Sequence, residues 1–209
     1  MSKHVRIIRN AIDPAWIAHY AEIFRDFFGS SNEVNEAQSG IPIYRFPQVE
    51  EFRRQIADLK IWSSPLYWLA DYCSIRRQHP RETAKGLPWH QDSAVVLGRT
   101  FGWIRGWVLW IPFTPINDRT PGLQVIDGRW PMLHSGDQVT GYLESNRVPR
   151  GVPMVVSDMA LGDVLVFDIN CPHRTHITNA MSETRFSTDL RFTKRVPFTY
   201  KGKVIRVSA

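Results

Sequence analysis

Two histidines and an aspartate form a set that can hold a metal ion. His90 and Asp92 are separated by one residue in Trp89-His90-Gln91-Asp92, and His173 lies about eighty positions on, after the apolar run Val164-Leu165-Val166-Phe167. Two imidazoles and one carboxylate suit a non-haem iron(II) ion bound on one face, with positions left open for a substrate and oxygen. In an extended segment, residues i and i+2 point to the same side. The spacing therefore predicts that His90 and Asp92 reach one ion from a strand edge, with Gln91 turned away. His173 is the expected third ligand, placed where a strand would end; His176 is its rival, three residues further on. A His-x-Asp pair alone is more often a surface pair than a ligand pair, so its meaning depends on what surrounds it.

The elements that would position these side chains are mostly strands. Val5 to Arg9 reads as a strand. Asp13 is an expected N-cap with Pro14 at the first helical position, and Trp16, Ile17, Tyr20, Ile23, Phe24, Phe27 and Phe28 recur at helical spacing, predicting an amphipathic helix over 14–28. A second helix is expected from Pro47 and a short third one over about 65–72, carrying Leu66, Trp68 and Leu69. After Tyr72 the texture changes to β-formers: strands are expected at 74–79, in the run 101–113, and at 122–126, 152–156, 164–168, 174–178, 184–192 and 204–207. Ala94-Val95-Val96-Leu97 is a short apolar run, and residues 129–151 read as a long irregular loop of the kind that is usually either functional or mobile. Helices followed by strands with no helices between them predict an α+β chain: a β-sandwich or barrel core with N-terminal buttressing helices. One domain is expected over 1–209, with a helical part at about 10–72 and a β core at about 73–209.

Composition narrows the class. The 209 residues are 43% hydrophobic and 22% charged, ordinary for a globular domain. No run of 18 apolar residues offers a membrane span, and the N-terminus lacks a signal-peptide core. Cys73 and Cys171 show no disulfide framework or zinc spacing, so a reducing, cytoplasmic setting is expected. The net charge of +6 comes from scattered Lys and Arg, with no aromatic–basic interleaving to indicate nucleic acid. It is compatible with an anionic small-molecule substrate, for which Arg99, Arg105, Arg129, Arg147 and Arg150 are candidates, although solvated surface is the commoner role.

The blocks Trp89-His90-Gln91-Asp92, Trp110-Ile111-Pro112-Phe113, Gly122-Leu123-Gln124-Val125-Ile126-Asp127-Gly128, Gly162-Asp163-Val164-Leu165-Val166-Phe167, His173-Arg174-Thr175 and Arg185 follow one another in an order that resembles the phytanoyl-CoA dioxygenase superfamily. The resemblance covers residues 74–193. It implies a double-stranded β-helix (jelly-roll, cupin-like) core and iron(II)- and 2-oxoglutarate-dependent dioxygenase activity, with O2 as co-reactant, oxidising a C–H bond of a small molecule. Within it, His90, Asp92 and His173 match the iron ligands, and Arg185 matches the residue that pairs with the distal carboxylate of 2-oxoglutarate. A planar guanidinium suits that task because it makes two parallel charge-assisted bonds to a carboxylate. Ser187 shares its strand face and adds a hydroxyl. Thr175, Gln91 and Trp110 match positions near the cosubstrate. On pattern alone, however, 185–192 reads as a half-exposed strand with Arg185 outward. The loop Asp127-Gly128-Arg129-Trp130 departs from the Pro-Gly-Ser-His of the superfamily, so the resemblance carries no substrate. Asp92 stands where halogenating relatives have a small residue, which favours hydroxylation or a related oxidation.

Overall fold

A computed structural model describes residues 4–30, 41–42, 51, 54, 56, 66–69, 73–80, 86–97, 104–133, 142–196 and 204–207. Among the described residues, two antiparallel sheets face each other and one long helix backs the larger one. The strands of the larger sheet are β1 (Val5–Ile8), β2 (Ile41–Pro42), β3 (Leu66–Leu69), β4 (Ser74–Gln78), β5 (Gly106–Pro112), β8 (Val164–Asp168), β10 (Arg185–Thr193) and β11 (Val204–Val207). The smaller sheet consists of β6 (Gly122–Val125), β7 (Met154–Val156) and β9 (His173–His176). The order is β1-β8-β5-β10-β3-β11 in the first, with β4 joined to β10 and β2 to β4, and β7-β6-β9 in the second. This is a β-sandwich of jelly-roll type.

The helix α1 (Pro14–Ser30) forms where the aromatic periodicity places it. Asp13 caps it, its Oδ1 accepting the Ala15 N–H at 2.9 Å. Ile17, Tyr20 and Phe24 pack on the outer face of the large sheet, against Ile75, Leu109, Ile111, Val164, Val166 and Leu190. Phe24 meets Phe113 edge-on with centroids 4.6 Å apart, a geometry worth about 0.5–1.5 kcal/mol beyond the buried area. The inner face packs Val108, Trp110, Leu165 and Phe167 against Leu123, Val125 and Val156 of the small sheet. Alternation along each strand thus feeds two separate cores.

Two expectations are corrected here. Leu66–Leu69 is a strand, not a helix: it pairs with β10 on one side and β11 on the other. Leu66 and Trp68 join the outer core while Leu69 joins the inner one, so a period of two, not 3.6, satisfies this short apolar segment. Asp92–Leu97 is a short helix, α2, so Asp92 does not lie on the extended strand edge expected for His90 and Asp92. Of the expected second helix, only 51, 54 and 56 are described, and they are helical. Among the described residues, no helix is long and apolar enough to cross a membrane, and both cysteines are free and buried.

The Gly162-Asp163 pair is a structural clamp. Gly162 has φ +92, and a Cβ there would meet the Ile12 carbonyl oxygen at 2.4 Å; the Ile12 N–H donates to the Gly162 carbonyl at 3.0 Å. Asp163 accepts the Asn10 N–H at 3.0 Å, the Ala160 N–H at 2.9 Å and Arg9 Nη1 at 2.6 Å. Together they tie the β1–α1 connection to the turn before β8. Burial alone would raise the Asp163 carboxyl, but the Asn10 N–H, Arg9 and the Ala160 N–H outweigh it and hold the group below the usual carboxylate range. Its contribution is therefore present above the unfolded value of 3.8 and lost as pH falls through the lower folded value. Asp163→Ala is expected to lower stability by about 2–3 kcal/mol at neutral pH, the cost of two orphaned amides and an ion pair. Urea denaturation at neutral pH and near pH 3 should show the gap between wild type and variant narrowing in acid.

Candidate metal centre

His90 and His173 are locked to each other by the backbone. The His90 N–H donates to the His173 carbonyl and the His173 N–H to the His90 carbonyl, both at 3.0 Å. Their rings lie 4.1 Å apart. Each ring is fixed by its inner nitrogen: His90 Nδ1 lies 2.8 Å from the Pro88 carbonyl, and His173 Nδ1 lies 3.1 Å from that of Cys171. A nitrogen facing a carbonyl must carry the proton, so both Nε2 lone pairs are free. Those two nitrogens lie 3.9 and 4.0 Å from Asp92 Oδ1. One donor atom from each residue falls within 4.8 Å of the others, and all three residues are buried.

Asp92 arrives by a different local route than expected. It opens α2 instead of sitting two positions along a strand. The Ser93 N–H donates to the Ile169 carbonyl at 3.0 Å, pinning the start of this helix to the turn that precedes His173. Gln91 is turned away, as the spacing suggests. Its Nε2 donates to the carbonyls of Asn170 (2.5 Å) and Pro131 (2.9 Å), and its Oε1 accepts the Leu133 N–H at 2.6 Å. It ties residues 131–133 to the His173 turn and does not line the cavity. Gln91→Ala is expected to cost about 2–3 kcal/mol, since three backbone groups lose their partner; a lower melting temperature and faster proteolytic cleavage near 131–133 would register it.

The electrostatics suit a cation. Burial, and then His173, pull the His90 imidazole down to about 3. Burial also lowers His173, with Asp92 opposing. Burial would raise Asp92, but Arg191 first, then the two histidines, hold it well below the carboxylate range. Two neutral imidazoles and an ionised carboxylate are the protonation states a metal requires. Asp92 Oδ2 is buried with no hydrogen-bond partner among the described residues. An acceptor left so is costly unless something positive meets it.

A small cavity opens beside this triad, lined by Leu123, Phe167, Trp110, Thr175 and Arg185 along with both imidazoles. Arg185 is 1% exposed. Its Nη1 donates to the Pro121 and Gly122 carbonyls at 3.3 and 3.1 Å, and its Cζ sits 5.4 Å from the Trp110 ring centroid. Among the described residues its Nε has no hydrogen-bond partner and the side chain makes no salt bridge. Burial, and then Arg76, bring this guanidinium down to about 9, so it stays charged at neutral pH. Ser187 Oγ and Gln78 Nε2 are also buried and have no hydrogen-bond partner among the described residues. Arg185 pairs across the strands with Gln78, and Ser187 lies two residues on, so all three share one face. Unsatisfied donors around a buried positive charge call for an anion with several acceptor oxygens. Thr175 Oγ1 accepts the Leu87 N–H at 3.0 Å, which fixes the cavity wall.

The structure thus brings His90, Asp92, His173, Arg185, Thr175 and Trp110 to one place, and Ser187 to the same sheet face. It leaves His176 half-buried and outside the triad. The half-exposed reading of the 185–192 strand is overturned, since all nine residues of β10 are buried. Trp107 belongs to the outer core. Arg105, Arg129, Arg147 and Arg150 are exposed, while Trp103 and Arg99 lie outside the described residues. Sequence reasoning missed Gln78, Arg76, Asp189 and Arg191. The signal was the stripe Arg185, Ser187, Asp189, Arg191 on one strand face, which reads equally well as solvent-facing.

No known protein-family profile matches the chain, and no curated protein matches it in sequence. Solved structures do. The non-heme alpha ketoglutarate dependent carbocyclase SnoK from nogalamycin biosynthesis superposes with a TM-score of 0.68 at 12% identity, covering 99% of this chain and 93% of that one. The epimerase SnoN, in complex with Fe3+, alpha ketoglutarate and nogalamycin RO, gives 0.67 at 15% identity, covering 91% and 78%. EvdO2 from Micromonospora carbonacea var. aurantiaca, complexed with 2-oxoglutarate, gives 0.60 at 17%, covering 100% and 90%. At these identities the likeness is one of architecture: the chain has the β-sandwich fold of these non-heme enzymes over nearly its whole length.

Proposed function

We propose that this chain is a single-domain iron(II)- and 2-oxoglutarate-dependent oxygenase, similar to the phytanoyl-CoA dioxygenase superfamily and built on a double-stranded β-helix. It would oxidise a C–H bond of a small molecule. The observation that carries this reading is a buried His-Asp-His triad whose two imidazoles line one cavity together with a buried guanidinium that makes no salt bridge among the described residues. His90, Asp92 and His173 would hold the metal. Arg185, with Ser187 beside it, would hold the far carboxylate of 2-oxoglutarate, and Trp110 and Thr175 would shape that end of the cavity. When bound, iron(II) supplies oxidative decarboxylation of 2-oxoglutarate to succinate and CO2, coupled to oxidation of the substrate. The protein's share is orientation and dryness: the Nδ1 bonds aim the imidazoles, Gln91 steadies the turn behind them, and Leu123 and Phe167 keep water from the metal face. SnoK and SnoN are named as a carbocyclase and an epimerase, so hydroxylation is the simplest of several outcomes the same oxidation permits.

Anaerobic titration of the iron(II) protein with 2-oxoglutarate tests the reading. Chelation by the keto acid should produce a weak visible charge-transfer band that saturates near one equivalent. A protein that binds iron and shows no band is instead a cupin-like metalloenzyme without this cosubstrate. Succinate release in the presence of iron(II), ascorbate and a metabolite library then identifies the substrate.

A further inference from the structure

The backbone holds the two histidines of the triad to different degrees. His173 lies in β9, which pairs with β6 over its whole length, Val125 opposite His173 and Gly122 opposite His176. His90 lies outside the strands; among the described residues it is tied by isolated bridges to His173 and Tyr142. Beside it, the Thr175 N–H donates to the Leu87 carbonyl at 3.0 Å and the Leu143 N–H to the Trp89 carbonyl at 2.7 Å. Pro88, between them, has no N–H to give. Yet the Pro88 carbonyl, 2.8 Å from Nδ1, is the group that aims the His90 ring. That carbonyl belongs to the peptide unit joining Pro88 to Trp89, so whatever holds Trp89 holds the carbonyl too.

Trp89 is held from the far side of the small sheet. Along β9, His173 and Thr175 are buried on the cavity side, while Arg174 and His176 alternate with them and are half-buried on the other face. Arg174 Cζ lies 4.8 Å from the centroid of the Trp89 ring. Its Nε donates to Gln124 Oε1 at 2.5 Å, and Gln124 is its direct cross-strand partner on β6. The guanidinium is thus anchored to the laddered part of the sheet and attracted to the π face of the residue next to His90. We propose that Arg174 is a positioning residue for His90. Through Trp89 it keeps the Pro88–Trp89 peptide turned so that the Pro88 carbonyl meets Nδ1, the proton stays on Nδ1, and the Nε2 lone pair is left for the triad. The tautomer of an imidazole is set by the hydrogen bond its other nitrogen makes. Without the brace that bond is no longer enforced, and the form with its proton on Nε2, which cannot ligate through Nε2, enters. The use made of Nε2 rests on the metal reading above; the brace itself does not.

Arg174→Met, Trp89→Leu and Trp89→Phe test this in the full chain. Three readouts apply: the nitrogen–proton correlation spectrum of the histidine rings in the metal-free protein at neutral pH, which reports the nitrogen that carries the proton; the cobalt(II) binding isotherm; and a thermal melt. The wild type should show His90 protonated on Nδ1 alone. Arg174→Met is expected to bring in the Nε2-protonated form of His90 while His173 keeps its own. Cobalt should bind about tenfold more weakly, at the low end of what losing an outer partner of a ligand costs. The melting temperature should stay close to wild type, because the stack is half-buried only and such contacts add little to the fold. Trp89→Leu should behave like Arg174→Met, and Trp89→Phe, which keeps a ring under the guanidinium, should restore the wild-type spectrum. If Arg174→Met fails to fold, Trp89→Leu decides. A folded variant of either kind whose His90 stays wholly protonated on Nδ1 overturns the proposal. So does one in which His90 and His173 change together with a lowered melting temperature, which would mark a general loosening of the sheet. A wild type with the expected His90 spectrum that binds no cobalt fails the metal reading instead, so the two failures are told apart.

Discussion

Asp92→Ala is expected to leave a folded protein that no longer retains iron and releases no succinate from 2-oxoglutarate. Asp92 supplies the only negative charge in the triad, and both imidazoles are neutral. Without it, an entering cation would face two neutral nitrogens and the Arg191 guanidinium, whose remaining carboxylate neighbour is Asp189, 2.6 Å from Nη2. Arg191 keeps its contact with Asp189, so the loss of one carboxylate leaves its charge compensated and the strand in place. The drop in metal affinity should exceed the roughly 10–100-fold seen when only an outer partner of a ligand is removed. Elemental analysis after reconstitution and dialysis, set beside turnover, measures both. His90→Ala and His173→Ala should behave likewise, with one distinction. His173 and His90 exchange backbone bonds that alanine preserves, so their variants should keep the wild-type circular dichroism spectrum. Iron content or turnover near wild type in any of the three would remove the ligand assignment.

How much of this was readable in advance depends on whether the determinant was local. The α1 helix was, because its aromatic stripe and the Asp13-Pro14 cap are consecutive in sequence. So were most strands from Ser74 onward, where β-formers alternate between turns. Leu66–Leu69 was not: four apolar residues have no period to measure, and only pairing with β10 and β11 decides the matter. Asp92–Leu97 was missed because Val95 and Val96 favour strands, while the Ser93–Ile169 bond that anchors the turn spans 76 positions. At the site, His173 was legible from its place after an apolar run and Arg185 from the resemblance. The Asp92–Arg191 contact was not, since its partners are 99 positions apart and nothing in the Arg185–Arg191 alternation says which side is wet. The Gly162-Asp163 block illustrates the converse: it reads as part of a functional signature, yet in the fold it clamps β1 and α1 to the turn before β8.

Arg185→Met should separate binding from folding in a way no structural arginine would. The guanidinium is buried, charged and without a carboxylate partner among the described residues, so in the ligand-free protein it is a net cost to the fold. Methionine fills similar space without that cost, and the ligand-free variant is expected to melt at the wild-type temperature or above it. The iron site should be untouched, because Arg185 contacts the Pro121 and Gly122 carbonyls and Trp110 rather than any member of the triad. What should fail is retention of 2-oxoglutarate. Losing a two-bond charged contact in a water-poor cavity corresponds to about 3–4 kcal/mol, or roughly a hundred- to a thousandfold in dissociation constant. Arg185→Lys keeps the charge but not the fork and should fall between. Titration calorimetry with the iron(II) or manganese(II) protein reads the affinity, and a thermal melt of the metal-free protein reads the fold. A variant that is destabilised yet binds 2-oxoglutarate normally would make Arg185 a packing residue, and the anion recognised by this cavity would then have to be held elsewhere.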